Sequence, residues 1–183
     1  MDKGTLYRLA LAKLGSSAEL VEGSPELAAL EECSQQAVAF ALDYSAWDFA
    51  EKGPVELPLV DGSAELPGDC LEVREVYTPA WQKIGREIVV GAAHDGDVVR
   101  VRYKSREIAD MMALPSHEPL FCEACVMLVA AAVAGRVTGN ANIGLELQQM
   151  GLSLLYRAKM KEARAVSSND QMPKIFAKRG GLR

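Results

Sequence analysis

The longest apolar run of the chain is Ala124–Gly135, which reads ACVMLVAAAVAG. Glu123 and Arg136 bound this run, and its twelve residues are about half of the roughly 20 that a helix needs to cross a bilayer. The run therefore predicts a buried core helix, from about His117 to Thr138, and no membrane partner. Its many alanines would let a second helix approach closely. We expect the rest of the fold to pack around this helix.

Three further long helices and one short helix are predicted on either side of it. The first covers about Asp2–Leu14, and the second opens at Ser24-Pro25-Glu26, where a serine N-cap precedes proline at the first helical position. The last covers roughly Asn142–Val166, and the short one Glu107–Ala113. The expected core side of the first helix is Leu6, Leu9, Ala10 and Leu14, and the expected cap of the core helix is Ser116.

The middle of the chain changes from a helical period to alternation. Apolar residues recur at every second position from Val55 to Leu59 and again from Val99 to Tyr103, with Asp-Gly and Pro-Gly turns between such segments. This pattern predicts one small antiparallel sheet with a solvated face. The predicted fold is α+β and mainly α: a four-helix body with a small inserted antiparallel β lobe and an extended C-terminal tail. In residue ranges, the predicted bundle is 1–53 and 105–166, the lobe 54–104 and the tail 167–183.

Four basic residues follow one another at strand spacing and just beyond it: Arg100, Arg102, Lys104 and Arg106. Such a stripe suits a contact with another subunit or partner, through a phosphate or an acidic surface. The plainer interpretation is the solvated face of a strand. Both interpretations remain open at the level of the sequence.

Charge is unevenly distributed along the chain. The formal net charge is −5, yet the 27 residues from Arg157 onward hold eight basic and two acidic side chains, a net charge of +6. The first 156 residues therefore carry −11. An acidic body does not fit a protein that grips duplex DNA, because the phosphates of DNA are repelled by most of its surface.

Catalytic and metal-binding patterns are weak in this sequence. Cys122 and Cys125 form a CxxC pair without a second pair of ligands, inside an apolar helix, which favours packing in the core. Cys33 and Cys70 have no spacing typical of a disulfide framework, so a reducing compartment is expected. The only histidines are His94 and His117, and no nucleophile, phosphate-loop or dinucleotide motif accompanies them. We predict no enzyme, no cofactor and no metal.

An ordered series of short motifs runs along most of the chain. It comprises Leu9-Ala10-Leu11-Ala12-Lys13-Leu14-Gly15, Ser24-Pro25-Glu26-Leu27 with Cys33, Ala46-Trp47-Asp48-Phe49-Ala50, Leu66-Pro67-Gly68-Asp69-Cys70-Leu71-Glu72-Val73, Tyr103 and Asp110, and Pro119-Leu120-Phe121 before an alanine-rich helix ending in Thr138-Gly139. In this order and spacing the sequence resembles the tail tubular protein A family, the head-to-tail adaptors of short-tailed phages. The resemblance covers roughly Thr5–Ala165, and Trp81–Asp97 in the lobe departs from it.

The resemblance implies a structural virion protein at the head–tail junction, assembled in the host cytoplasm, with no catalysis. It implies a ring of probable twelve-fold symmetry, whose partners are the portal protein, the tail tube or nozzle protein and other copies of the chain. Double-stranded DNA would pass through the lumen without specific binding, which an acidic body suits. The composition is that of an ordinary soluble protein without a long, obviously self-complementary apolar stripe, so we expect a monomer that assembles on the portal.

The C-terminal segment is the expected portal-binding site. Its residues Lys174, Ile175, Phe176, Lys178 and Arg179 combine two apolar anchors with three positive charges, between Pro173 and a glycine pair. Such a segment suits folding against a partner groove. The alternative for this segment is a disordered basic end that aids solubility. For the whole chain the alternatives are a head-completion or neck protein of a long-tailed phage, or a small helical enzyme or regulator supported only by the cysteine pair.

Overall fold

The computed structural model describes residues 1–16, 20–91 and 96–170, with side chains described as far as Arg164. Within these ranges the protein is α+β, with five α-helices and two small antiparallel sheets. The helices are α1 Lys3–Lys13, α2 Pro25–Asp43, α3 Glu107–Met111, α4 Pro119–Thr138 and α5 Ala141–Asp170. The strands are β1 Glu51–Pro58, β2 Ser63–Glu65, β3 Cys70–Val76, β4 Trp81–Ile84, β5 Glu87–Val90 and β6 Val98–Ser105.

The β segment between α2 and α3 forms two three-stranded sheets, where the sequence predicted one. Their strand orders are β1-β6-β3 and β2-β5-β4, and each strand pair is antiparallel. The two sheets share a small core of their own, which contains Ile88 and Val101. Strand alternation predicts which residues form strands, but the pairing partners are set by contacts far apart in sequence, so the division into two sheets was not predictable from the pattern.

Side chains cap the starts of α1 and α2. Asp2 accepts a hydrogen bond from the Thr5 backbone N–H at 2.9 Å, and Ser24 accepts one from the Leu27 N–H at 3.2 Å, as predicted for the second helix. The core helix begins differently: α4 starts at Pro119 after Glu118, which gives no side-chain cap, so the predicted cap at Ser116 is wrong. Proline at the first position has no N–H to satisfy, which reduces the need for a cap.

The last helix is longer than predicted. α5 continues to Asp170, so residues 167–170 are helical instead of belonging to an extended tail. No glycine or proline lies between Gly151 and Pro173, and the helix can therefore propagate past Val166. The remaining tail residues, 171–183, lie outside the described residues.

α4 is the central core helix, as its apolar run predicted. By length and composition alone it could cross a membrane, but most of it is buried, as in the core helix of a folded domain. α1, α2 and α5 all pack against it. In α1 the buried side chains are Leu6, Tyr7, Ala10 and Leu11. Leu9 is 40% exposed, so its expected place in the core is wrong: the helix faces α4 with the side that carries Tyr7 and Leu11.

Two glycines allow the close approach between α4 and α5. A Cβ atom added at Gly144 would lie 3.0 Å from the carbonyl oxygen of Ala131, and one at Gly151 would lie 3.0 Å from Cγ of Leu128. The small residues of the alanine-rich run thus meet glycines on the facing helix. This confirms the expectation that the run lets a neighbour approach closely.

Replacing Gly144 by alanine tests this contact. Alanine favours a helix over glycine by roughly 1 kcal/mol, but the added methyl group would press on the Ala131 backbone carbonyl, which cannot move away as a side chain can. Gly135→Ala is the matched control, because no atom lies within 4 Å of an added Cβ there. We expect Gly144→Ala to have a free energy of unfolding about 1–2 kcal/mol below that of Gly135→Ala in urea. Equal stabilities would show that the two helices do not need glycine at this contact.

Candidate functional site

The basic residues of β6 are paired within the chain. Arg100 contacts Glu56 at 2.7 Å, Arg102 approaches Glu75 at 3.9 Å, and Arg106, just after the strand, contacts Asp110 at 2.9 Å. Exposed ion pairs of this kind contribute little stability, but they neutralise the positive charge locally. This favours the solvated strand face over a charge-driven contact, and a subunit contact through these residues stays a prediction.

Lys104 departs from the predicted surface stripe because its side chain is only 3% exposed. Its ammonium group lies 3.5 Å from the carboxylate of Asp43 at the end of α2. Burial lowers the pKa of Lys104, and the nearby Asp43 partly offsets this effect. Strand alternation does put Lys104 on the same face as Arg100 and Arg102, but the helical body covers that end of the sheet. Lys104 is therefore a structural contact between lobe and body in this chain.

A hydrogen-bonded cluster within the β lobe, next to α3, is centred on Asp69 in the turn before β3. Its carboxylate accepts hydrogen bonds from Ser105 Oγ at 2.6 Å, Lys52 Nζ at 2.9 Å and Tyr103 Oη at 3.1 Å. Its backbone carbonyl accepts the N–H of Arg106 at 2.8 Å, just before α3. Burial alone would raise the pKa of Asp69, but the three hydrogen bonds outweigh it and lower the pKa from 3.8 to about 2. Sequence analysis found Asp69 only within a motif string, because its partners are distant in sequence.

Asp69→Asn should therefore destabilise the protein in a pH-dependent way. The folded pKa of about 2 lies below the ordinary value of 3.8, so the ionised carboxylate stabilises the fold above about pH 4 and loses this contribution as pH falls toward 2. The pKa difference corresponds to about 2 kcal/mol. We expect a loss of roughly that size in the free energy of unfolding at neutral pH, and a smaller difference from wild type at pH 2. A pH-independent loss would show that packing, and not the charge, accounts for the effect.

The cysteine pair lies in the core. Cys125 is fully buried, and Cys122 is nearly so and directs its thiol toward the carbonyl oxygen of Pro115 at 3.1 Å. Burial raises the pKa of both thiols, that of Cys125 well above its ordinary value. Neutral, buried thiols suit the packing role that the sequence predicted for this pair. Among the described residues no group of three or more His, Cys, Asp or Glu side chains could hold a metal ion. His94 lies outside those residues.

The outer face of α5 exposes several large apolar side chains. Leu145 is 59% exposed, Tyr156 56% and Met160 38%, and half-buried Leu152 lies between them. Their spacing puts these four residues on one side of the helix, along roughly 22 Å. We call this set the α5 stripe. The monomeric state expected for the free chain stays a prediction.

Three cations accompany the C-terminal half of the α5 stripe. Arg157, Lys159 and Arg164 are exposed, and none of them has an ion pair within the described part of the chain. Lys161, on the same turns, pairs with Glu118 at 3.5 Å. Within the described part of the chain, α5 therefore carries exposed positive charge that no ion pair neutralises, whereas the cations of β6 are paired.

An apolar groove adjoins the stripe. It lies between α2 and α5 with α4 as its floor, has a volume of about 500 Å³, and is lined mainly by small or apolar residues that include Cys33, Phe40, Ala132 and Leu145. Phe40 is 48% exposed at its rim. Periodicity did not reveal this groove, since it depends on how far apart α2 and α5 pack on α4.

The C-terminal part of α5 is bonded to the segment that follows α2. Glu162 accepts a hydrogen bond from the backbone N–H of Asp48 at 2.7 Å, and burial raises its pKa. The helix then continues to Asp170. The predicted portal-binding residues Lys174, Ile175, Phe176, Lys178 and Arg179 follow it and lie outside the described residues.

Comparison of the chain with protein-family models and with curated proteins finds no match.

Proposed function

We propose that this chain is a head-to-tail adaptor of a short-tailed phage, a ring subunit that joins the portal to the tail and forms part of the DNA channel. The observation that carries the proposal is the ordered series of motifs over Thr5–Ala165, which resembles the tail tubular protein A family. The ring would contain twelve copies and would contact the portal protein on one side and the tail tube or nozzle protein on the other.

The finer architecture proposed for this role is a four-helix body of α1, α2, α4 and α5, with the inserted β lobe and a C-terminal tail. The long α5 supports it. After Glu162, whose side chain bonds to Asp48, the helix runs on for eight residues, roughly 12 Å. In the proposed role, this length of helix separates the bond at Glu162 from residue 171, where the basic C-terminal segment begins along the chain.

The charge distribution supports a role around DNA without binding it. The first 156 residues carry −11, and in a ring every uncompensated carboxylate is repeated in each subunit, so their fields add. A lumen lined by such a body gives phosphates no attractive contact, which lets the duplex slide.

Mixing the purified chain with portal rings of the same phage tests the proposal. Electron microscopy should show a ring of density added to one end of the portal, and sedimentation should show the chain bound in a fixed ratio. Failure to bind the portal, combined with binding to a completed head of a long-tailed phage, would favour the head-completion or neck role. A chain that binds neither would point away from a virion.

A further inference from the structure

We propose that the outer face of α5 is the surface through which neighbouring copies of this chain contact one another, and that it receives the acidic body of the next copy. This inference rests on the proposed ring, and it assigns the contact to named residues. It concerns a surface on the described body and does not involve the tail.

The first argument is the uncovered apolar area. Leu145, Tyr156 and Met160 lie on one side of α5, each more than a third exposed, with Leu152 completing the stripe. Single exposed apolar residues are ordinary, but several apolar side chains along one side of a helix, beside a charged margin, suit a protein–protein contact. One exposed polar residue, Gln149, lies between Leu145 and Leu152 on this side. The aromatic ring of Tyr156 offers a large contact area with a polar tip, a combination enriched at interfaces.

The second argument is charge. Arg157, Lys159 and Arg164 border the stripe and have no ion pair in the described part of the chain, whereas each β6 cation has its own acidic partner. The complementary surface has to be acidic. The first 156 residues of this same chain carry a net charge of −11, so a second copy supplies one.

The third argument concerns symmetry. A two-fold contact between two α5 faces would bring the unpaired cations of both copies together, which like-charge repulsion disfavours. A contact between the basic α5 face of one copy and an acidic face of the next joins different surfaces. Such head-to-tail contacts generate rings when the rotation closes.

The groove beside the stripe extends the same surface. Leu145 belongs to both, and Phe40 stands on the opposite rim. A concave apolar site next to a charged margin is the arrangement in which a few buried side chains dominate binding. Side chains of the next copy would fill this groove.

The test measures contact between copies directly. Unlabelled and nitrogen-15-labelled full-length protein are mixed at high concentration, treated with a carbodiimide that joins amines to carboxylates, and analysed by mass spectrometry for cross-links between the two labels. We expect cross-links from Lys159 of one copy to carboxylates in residues 1–156 of another. Leu145→Glu and Tyr156→Glu should each reduce them about tenfold, which is about 1.4 kcal/mol.

Ile84→Glu is the matched control, because Ile84 on the lobe is 56% exposed, close to the 59% of Leu145, and its side chain is an isomer of leucine. It should leave the cross-links at the wild-type level. Circular dichroism should show all three variants folded, since substitutions at such exposed positions change stability little.

Two outcomes overturn the inference. One is equal cross-linking in wild type, Leu145→Glu and Tyr156→Glu, and the other is a set of cross-links dominated by contacts between two α5 helices.

Portal binding is measured separately. If the chain binds the portal but its cross-links do not depend on Leu145, the proposed function stands and the proposed α5 contact is wrong. If the chain does not bind the portal but its cross-links depend on Leu145, the proposed α5 contact stands and the proposed function is wrong.

Discussion

Removing residues 171–183 is expected to leave a folded protein that no longer binds portal rings. The cut falls after Asp170, the last residue of α5, so every residue of the two described cores remains. The deleted segment holds Ile175 and Phe176, and burying each in a partner groove would contribute roughly 1.5–3 kcal/mol before the cost of ordering the segment. At the lower figure, loss of both anchors corresponds to a decrease in affinity of about a hundredfold before the ordering cost is subtracted.

The measurement is cosedimentation of the protein with portal rings, together with thermal unfolding of the truncated chain alone. Unfolding should be nearly unchanged. Single substitutions refine the result: Phe176→Ala should weaken portal binding more than Lys178→Ala, because an anchor in a groove contributes more than one screened surface charge. If the truncated chain binds portal rings as tightly as the full chain, the docking surface lies on the helical body and the tail has another role.

Phe121→Ala is expected to cost about 3–5 kcal/mol in the free energy of unfolding. Phe121 is completely buried at the start of α4, and its ring meets that of Trp47 at 5.3 Å and that of Phe49 at 4.8 Å between centroids. Trp47 is itself held by a hydrogen bond from its Nε1 to the carbonyl oxygen of Ala41 at 2.9 Å. The cluster joins α2, the segment that follows it and α4, so the cavity would open where three parts of the chain meet.

Phe40→Ala is the matched control for this substitution. Phe40 has the same side chain but is 48% exposed, and its replacement should change the free energy of unfolding by no more than about 0.5 kcal/mol. Urea unfolding at low protein concentration measures both, which keeps contacts between copies from contributing. A loss below about 1 kcal/mol for Phe121→Ala would show that the surroundings collapse into the cavity or that the aromatic cluster is not part of the stable core.

Sequence reasoning predicted the features that depend on neighbours along the chain. The start of α2 at Ser24-Pro25 follows from capping, and the burial of α4 follows from its apolar run. Capping and an apolar run involve residues close together in sequence, so they can be recognised without knowing what packs against the helix.

Features that depend on distant residues were not predictable in this way. Lys104 alternates correctly with its neighbours, but its burial comes from the end of α2, about sixty residues earlier. Asp69 gathers partners from β1 and β6, which no local motif indicates. The α5 stripe was missed for a similar reason. Whether a side of α5 is exposed depends on which other elements pack against that helix, and the sequence pattern does not give this.

The attachment of α5 has a mechanical consequence. The N-terminal half of the helix packs closely on α4 at Gly144 and Gly151, and its C-terminal part is held by the hydrogen bond to Glu162. A pull on its C-terminal end would load the backbone hydrogen bonds along the helix axis and would act on α4 in shear, spread over many contacts at once. The hydrogen bond from Asp48 to Glu162 gives a second path, because Asp48 lies three residues before β1. Tension on the C-terminal end would therefore reach both the central helix of the body and the first strand of the lobe.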